Sequence, residues 1–274
     1  GFDCLEFHCA HNYLPHSNTK KYLMAIGTNS VIHYTRTKDI LFQILRDLGF
    51  KYQYCSEKIV TRGNHSYSFA IAMVSFCDIP LSDYKKHFLR NSKNSEKNLG
   101  YYGDYGIGLS RNWVEENGLN PVMYVDQKSH ISTSLRHSAE VLFQNESELG
   151  SNSQDLYPFY AKNVKGRLER GDSRTIEGYR LYDEREWRYV PMKEELSGNP
   201  RVLKNDKYIS NKSYYNEQIS QPRLKFSVKD IVYIIVKDES ELESITTLLQ
   251  GEFPEDYLKL MPTIITSKQI VEDF

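Results

Sequence analysis

The chain has 274 residues, 39% hydrophobic and 26% charged, a composition that can bury a full core. Its net charge of −1 is uneven: Lys237–Phe274 holds 3 basic and 9 acidic residues, which leaves the remainder at 32 basic against 27 acidic. No run approaches the roughly 20 apolar residues of a membrane span, the N-terminal stretch lacks a secretory signal's basic start and apolar run, and four irregularly spaced cysteines form no disulfide framework; a reducing cytoplasm is the expected setting.

Cys4, His8, Cys9, His11 and His16 are ligand types that zinc takes, but their spacing matches no familiar knuckle. Residues 1–25 are expected to form an N-terminal extension, and 26–274 a single domain. Val31–Thr35 predicts a short strand that sets His33 and Thr35 on one face. Thr37 is placed to cap a helix over Lys38–Leu48, whose Ile40, Leu41, Ile44, Leu45 and Leu48 share a side and which Gly49 closes. Phe50–Gly63 predicts an extended connection or irregular strand. Phe69–Cys77 predicts a buried strand, halted by Asp78-Ile79-Pro80-Leu81. Ser82–Gly100 predicts a helix running into a polar loop, whose Lys85, Lys86, Arg90, Lys93 and Lys97 lack the interleaved aromatics of a nucleic-acid surface.

Tyr101–Leu109 alternates glycine with aromatic and small apolar residues. Glycine in strand-like sequence marks a bend or a close approach, and tyrosine offers a flat face with a polar tip. The segment suits a groove for a ring-bearing ligand, as does a total of 21 tyrosines; a glycine-kinked strand in an ordinary sheet is the other reading. Ser110 is a cap for a helix to Asn117, ended by Gly118. Pro121–Val125 predicts a strand, His130–Leu149 a helix and Lys165–Gly178 a charged loop. Tyr179–Pro191 alternates in part like a strand, which puts Glu184 and Glu186 on a shared face. Facing a groove, the two carboxylates would repel and one pKa would rise; on a surface, the neighbouring arginines would neutralise them. Lys193–Ser220 is a polar excursion, Ile231–Val236 the most apolar strand, and helices follow at Glu239–Leu249 and from Ser267. The absence of a P-loop, a Rossmann glycine fingerprint and a metalloprotease helix argues against nucleotide hydrolysis and dehydrogenation of the ordinary kinds.

His33-Tyr34-Thr35 ahead of a helix, the Tyr/Gly segment and Glu184-x-Glu186 on a late strand resemble, in that order, the H-Y-E layout of ADP-ribosyltransferase folds, DarT-like toxins included. The stretches FCDIPLSDYKKH, YGDYGIGLSRNWVEENGLNPVMYV and EREWRYVP resemble more closely the AbiGi-type abortive phage infection family, over about Val31 to Pro191 and less closely through Val228–Val236. The transferase resemblance implies an α+β fold of split, strongly bent β-sheets with flanking helices, and NAD as a substrate with no metal. It implies that His33 and Thr35 face the ribose, that Tyr102 or Tyr105 stacks on nicotinamide beside Gly106, and that Arg188 meets the pyrophosphate. Glu186 would then be the catalytic carboxylate, steadying the positive charge that develops as nicotinamide leaves, and Glu184 would orient the acceptor. AbiGi-type proteins are described as the antitoxin of a two-gene defence system. The implied partners are therefore a cognate toxin or antitoxin protein, or a nucleic-acid or protein acceptor of ADP-ribose, with no membrane. Two functions follow: an NAD-cleaving transferase, or a catalytically inactive antitoxin that binds and restrains a toxin.

Overall fold

In the computed structural model, which describes residues 28–88, 102–144, 157–169 and 175–273, local signals set most element ends. β1 (Ser30–Thr35) leads into α1 (Lys38–Asp47), where the Thr37 hydroxyl accepts from the Ile40 amide; Leu48, at φ 42°, ends the helix. β2 (Gly49–Lys51), β3 (Gln53–Val60) and the long β4 (Ser66–Cys77) follow, then α2 (Leu81–Phe88) and β5 (Tyr105–Ser110). The Ser110 hydroxyl accepts from the Trp113 amide and starts α3 (Arg111–Glu116). Next come β6 (Asn120–Pro121), β7 (Met123–Val125), α4 (His130–Gln144), β8 (Ala161–Asn163), β9 (Gly166–Glu169) and β10 (Thr175–Tyr179). β11 (Glu186–Tyr189), β12 (Val202–Lys204), α5 (Asn205–Ser210), α6 (Lys212–Gln218) and β13 (Arg223–Lys225) precede β14 (Ile231–Val236). The last elements are α7 (Leu242–Glu252), α8 (Tyr257–Leu260), β15 (Ile264–Thr266) and α9 (Ser267–Asp273).

The main sheet has the order β15-β14-β5-β1-β4-β11-β6, with β3 and β12 also paired to β4. Only β14 and β15 run parallel within it. Partners across an antiparallel ladder point to the same side, so register assigns every side chain a face. Ile32 pairs with Cys77, and Cys77 with Glu186, which puts these three on one face, the back. Val31, His33, Phe76, Tyr105 and Ile107 fall on the other, the front. The front carries the largest apolar cluster, where Phe50, Phe76 and Ile107 meet Leu41 and Leu45 of α1, Trp113 of α3 and Leu249 of α7. The back carries two smaller ones. One joins Phe69 and Ile71 to Leu135 and Ala139 of α4 and to Phe159; the other joins Ile32, Cys77 and Ile235 to Tyr84 of α2 and Ile270 of α9. The result is mixed α+β, with helices against both faces of a bent sheet.

The sheet forks along β4. β3 pairs with β4 as far as Gln53 opposite Met73, whereas β1 meets it only where Ile32 stands opposite Cys77. Between those rungs β1 and β3 diverge, because β2 leaves the sheet to pair with β13.

Several expectations are corrected. Residues 50–63 contain a regular strand, β3, paired to β4 along its whole length. Gly49 lies in β2, not at a helix stop: a Cβ there would stand 2.9 Å from the Arg223 Cβ, so its bare backbone lets β13 approach. Residues 121–125 belong to two sheets, since β6 borders β11 while β7 pairs in parallel with β8. The charged loop at 165–178 holds a β9–β10 pair. Glu184 is not on a strand; it ends a 3-10 turn, and Arg185 at φ 42° reverses the chain before β11. The N-terminal extension with its Cys and His residues, Tyr101 and most of the basic loop lie outside the described residues. Among the described residues, no helix is long and apolar enough to cross a membrane.

Candidate functional site

Register gathers charge on the back face. Arg188 stands opposite Ser75, one side chain along from Glu186, and Glu57 of β3 stands opposite Phe69 on the same side. Lys162 reaches them from β8. Arg188 is 0% exposed, so each of its donors needs an acceptor within the protein. Its Nε donates to Glu186 Oε1 at 2.6 Å, and its Nη2 to Glu57 Oε1 at 2.6 Å and to Glu186 Oε2 at 3.2 Å. Nη1 donates to the Phe159 carbonyl at 2.9 Å. Lys162 Nζ donates to Glu184 Oε2 at 3.0 Å and to Glu186 Oε2 at 2.9 Å, with Glu57 Oε1 at 4.0 Å. The Glu186 amide donates to the Tyr124 hydroxyl at 2.9 Å.

Three carboxylates thus share two cations in a nearly closed space. Burial alone would push the Glu186 carboxyl up, but Arg188 and Lys162 outweigh it and hold the group below the ordinary carboxylate range. Burial likewise works against the Lys162 ammonium, and Glu186, Glu57 and Glu184 together raise its pKa well above the usual lysine value. The anticipated repulsion between Glu184 and Glu186 is therefore reversed in effect, because Lys162 stands between them. Among the described residues, no group of His, Cys, Asp and Glu is arranged to hold a metal ion.

His33 works on the front face. Its Nδ1–H donates to the Ser75 carbonyl at 2.8 Å, filling with a side chain the edge that β1 and β3 leave bare. Its ring lies 4.8 Å from that of Phe50 and 5.6 Å from that of Phe76. Burial lowers the His33 pKa against the opposing pull of the Ser75 carbonyl, so the imidazole is neutral at pH 7. The fork opens a cleft of about 300 Å³ there, lined by His33, Phe50, Cys55, Met73 and Ser75, with Asp39 and Gln43 of α1 at its side. Burial pushes the Cys55 thiol up to about 12, which leaves it protonated and unreactive as a nucleophile at neutral pH.

The other expected site residues divide between the faces. Thr35 and Tyr105 are register partners on the front, and the Tyr105 hydroxyl donates to Glu241 Oε1 at 2.9 Å. Tyr102 joins the back, beside Tyr34 and Tyr84, whose rings stack at 3.7 Å. Burial raises the Tyr102 hydroxyl well above its usual pKa, and the nearby Glu184 carboxylate adds to the rise. The space over Gly106 holds Tyr34 Cδ1, 3.2 Å from where a Cβ would stand. Gly103 is at φ 120°, and a Cβ there would fall 2.0 Å from the Thr35 carbonyl oxygen. These glycines admit the sheet's own neighbours. The structure thus brings Glu184, Glu186, Arg188 and Tyr102 together, and sets His33, Thr35 and Tyr105 across the sheet from them. Sequence reasoning passed over Lys162 and Glu57. The one available signal for Lys162 was a lone cation in the otherwise uncharged stretch YPFYAKN.

Fold and site together define a mixed α+β protein whose three back-face carboxylates share two cations supplied by the chain itself. Residues 49–237 match the family described as "Putative abortive phage resistance protein AbiGi, antitoxin", and the chain belongs to that family. It is similar to the abortive phage resistance protein AbiGi of Lactococcus lactis subsp. cremoris, with 26% identity over 197 residues, covering 66% of this chain and 77% of that protein. No solved structure matches the chain. The matched span contains Glu57, Lys162, Glu184, Glu186 and Arg188, whereas β1, with His33 and Thr35, precedes it.

Proposed function

We propose that the chain is the antitoxin of a phage-defence pair, which binds a cognate toxin and restrains it by contact, with no turnover of its own. Membership of the AbiGi family supports the defence role. The observation that carries the non-catalytic reading is the occupied state of Glu186. A carboxylate that steadies a developing cation on a substrate must be aimed at that substrate. Both oxygens of Glu186 instead take charge-assisted bonds from Arg188 and Lys162, at 2.6 and 2.9 Å. His33 and Thr35, the intended ribose contacts, stand on the opposite face.

Co-expression with the product of the neighbouring gene tests this. The expected result is a stable complex that persists with Glu186→Gln, and no release of nicotinamide from NAD by either form. Nicotinamide release that Glu186→Gln abolishes would overturn the proposal in favour of the transferase. One observation favours a second reading, NAD held in the cleft beside His33. Calorimetric binding of NAD that His33→Ala removes is what that reading requires.

A further inference from the structure

Among the described residues, β3 has a strand partner on one side only. Its ladder with β4 uses alternate residues, and the bonds made at Tyr54 and Val60 show that the even-numbered ones face outward. The Tyr54 amide donates to Asn216 Oδ1 at 2.8 Å, and its carbonyl accepts from the Tyr208 hydroxyl at 2.6 Å. At the other end one side chain makes both bonds: the Val60 amide donates to Asn163 Oδ1 at 2.8 Å, and Asn163 Nδ2 donates to the Val60 carbonyl at 2.9 Å. Both ends of the edge are therefore closed by side chains that imitate a neighbouring strand. Between these clips lie Ser56 and Lys58, both exposed, whose outward amides and carbonyls have no partner among the described residues.

We infer that this window, residues 55–59, receives an extended segment of the cognate partner as an added β-strand, an inference that rests on the antitoxin reading. Donors and acceptors that repeat every second residue along a line are matched by another polypeptide backbone, the mode of strand addition. The clips set the reach: Asn163 and Tyr208 already occupy the next rungs, so an added strand spans about five residues. Lys58 gives the edge its selectivity. Its exposed ammonium has no acidic partner among the described residues, so it favours a strand with a carboxylate beside it and discourages indiscriminate pairing.

Ser56→Pro removes one outward amide and none that bonds β4, while Ser56→Ala keeps every backbone donor. The full chain is co-expressed with the tagged product of the neighbouring gene and recovered through the tag. The proline form should be retained about tenfold less than wild type, and the alanine form equally well. In hydrogen exchange, the Ser56 and Lys58 amides should be fast in the free chain and about tenfold slower in the wild-type complex. Full retention of Ser56→Pro, unchanged exchange at these amides in the complex, or slow exchange in the free chain overturns the edge and leaves the antitoxin reading standing. Absence of any wild-type complex overturns that reading itself. If Ser56→Pro does not fold, exchange in the wild-type complex decides alone.

Discussion

On the back face five ionisable groups are buried together, and Glu186, Lys162 and Arg188 stay charged because each is held by opposite charge at bonding distance. On the front face His33 is half-buried with its Nδ1–H on a backbone carbonyl, and burial keeps its imidazole neutral against the opposing pull of that carbonyl. The first arrangement is closed: its short contacts tie β3, β8 and β11 to one another and to the turns that carry Phe159 and Glu184. The second is open, since the fork that His33 spans leaves a cleft beside it. The difference teaches where each region is fragile. A buried ion network adds little net stability over an apolar core, yet breaking it leaves charge stranded; a neutral wedge costs less to remove.

The largest effect should come from Arg188→Met. It leaves Glu57, Glu184 and Glu186 buried around one lysine and deprives the Phe159 carbonyl of its donor, at a cost of about 3–5 kcal/mol in urea unfolding. A loss below about 1 kcal/mol would mean that water already reaches the cluster, and the contrast between the faces would fall.

Glu186→Gln should cost less, about 2–3 kcal/mol at neutral pH, because two carboxylates and two cations then remain in balance. Its pH dependence is the sharper test. The folded pKa of Glu186 lies below the unfolded one, so the unfolded chain binds more protons on acidification. The stabilisation is complete above the ordinary carboxylate value of about 4.3 and is lost as pH falls from there toward the depressed value. The glutamine form should show a shallower acid decline below about pH 4.3, measured by unfolding at several pH values. Equal declines in the two proteins would remove the electrostatic account of the cluster.

What the sequence disclosed and what it hid divide along the same line. Thr37 and Ser110 announce their helices because a cap acts within three residues of itself. Runs such as that of β14 announce a strand by local apolarity. The separation of His33 from Glu186 has no local signal. It depends on two ladders meeting on β4, with Ile32 and Glu186 both opposite Cys77, and a shift of one residue in either would move a whole strand's side chains to the other face. Glu184 and Glu186 do meet, but through Lys162 and a left-handed turn at Arg185, not through the strand alternation that their spacing implied. The glycines of β5 and the segment before it read in the sequence as points of bending or of close approach by a ring-bearing ligand; in the fold the atoms that approach Gly103 and Gly106 include the Thr35 carbonyl and the Tyr34 ring.

The smallest effect should belong to the front. His33→Phe keeps the aromatic packing against Phe50 and Phe76 but strips the Ser75 carbonyl of its donor, worth about 1–2 kcal/mol above pH 7. Burial depresses the folded pKa of His33, so acidification protonates the unfolded chain first and stability declines as pH falls below the ordinary histidine value of about 6.5. Phenylalanine does not titrate, so the gap between the two proteins should narrow from pH 7 to pH 5, at pH values where the Glu186 variant still runs parallel to wild type. Unfolding curves for all three proteins across that interval separate the faces by the pH at which each begins to fail. A gap that widens on acidification would mean that His33 gains a proton in the folded state, and with it a negative partner in the cleft.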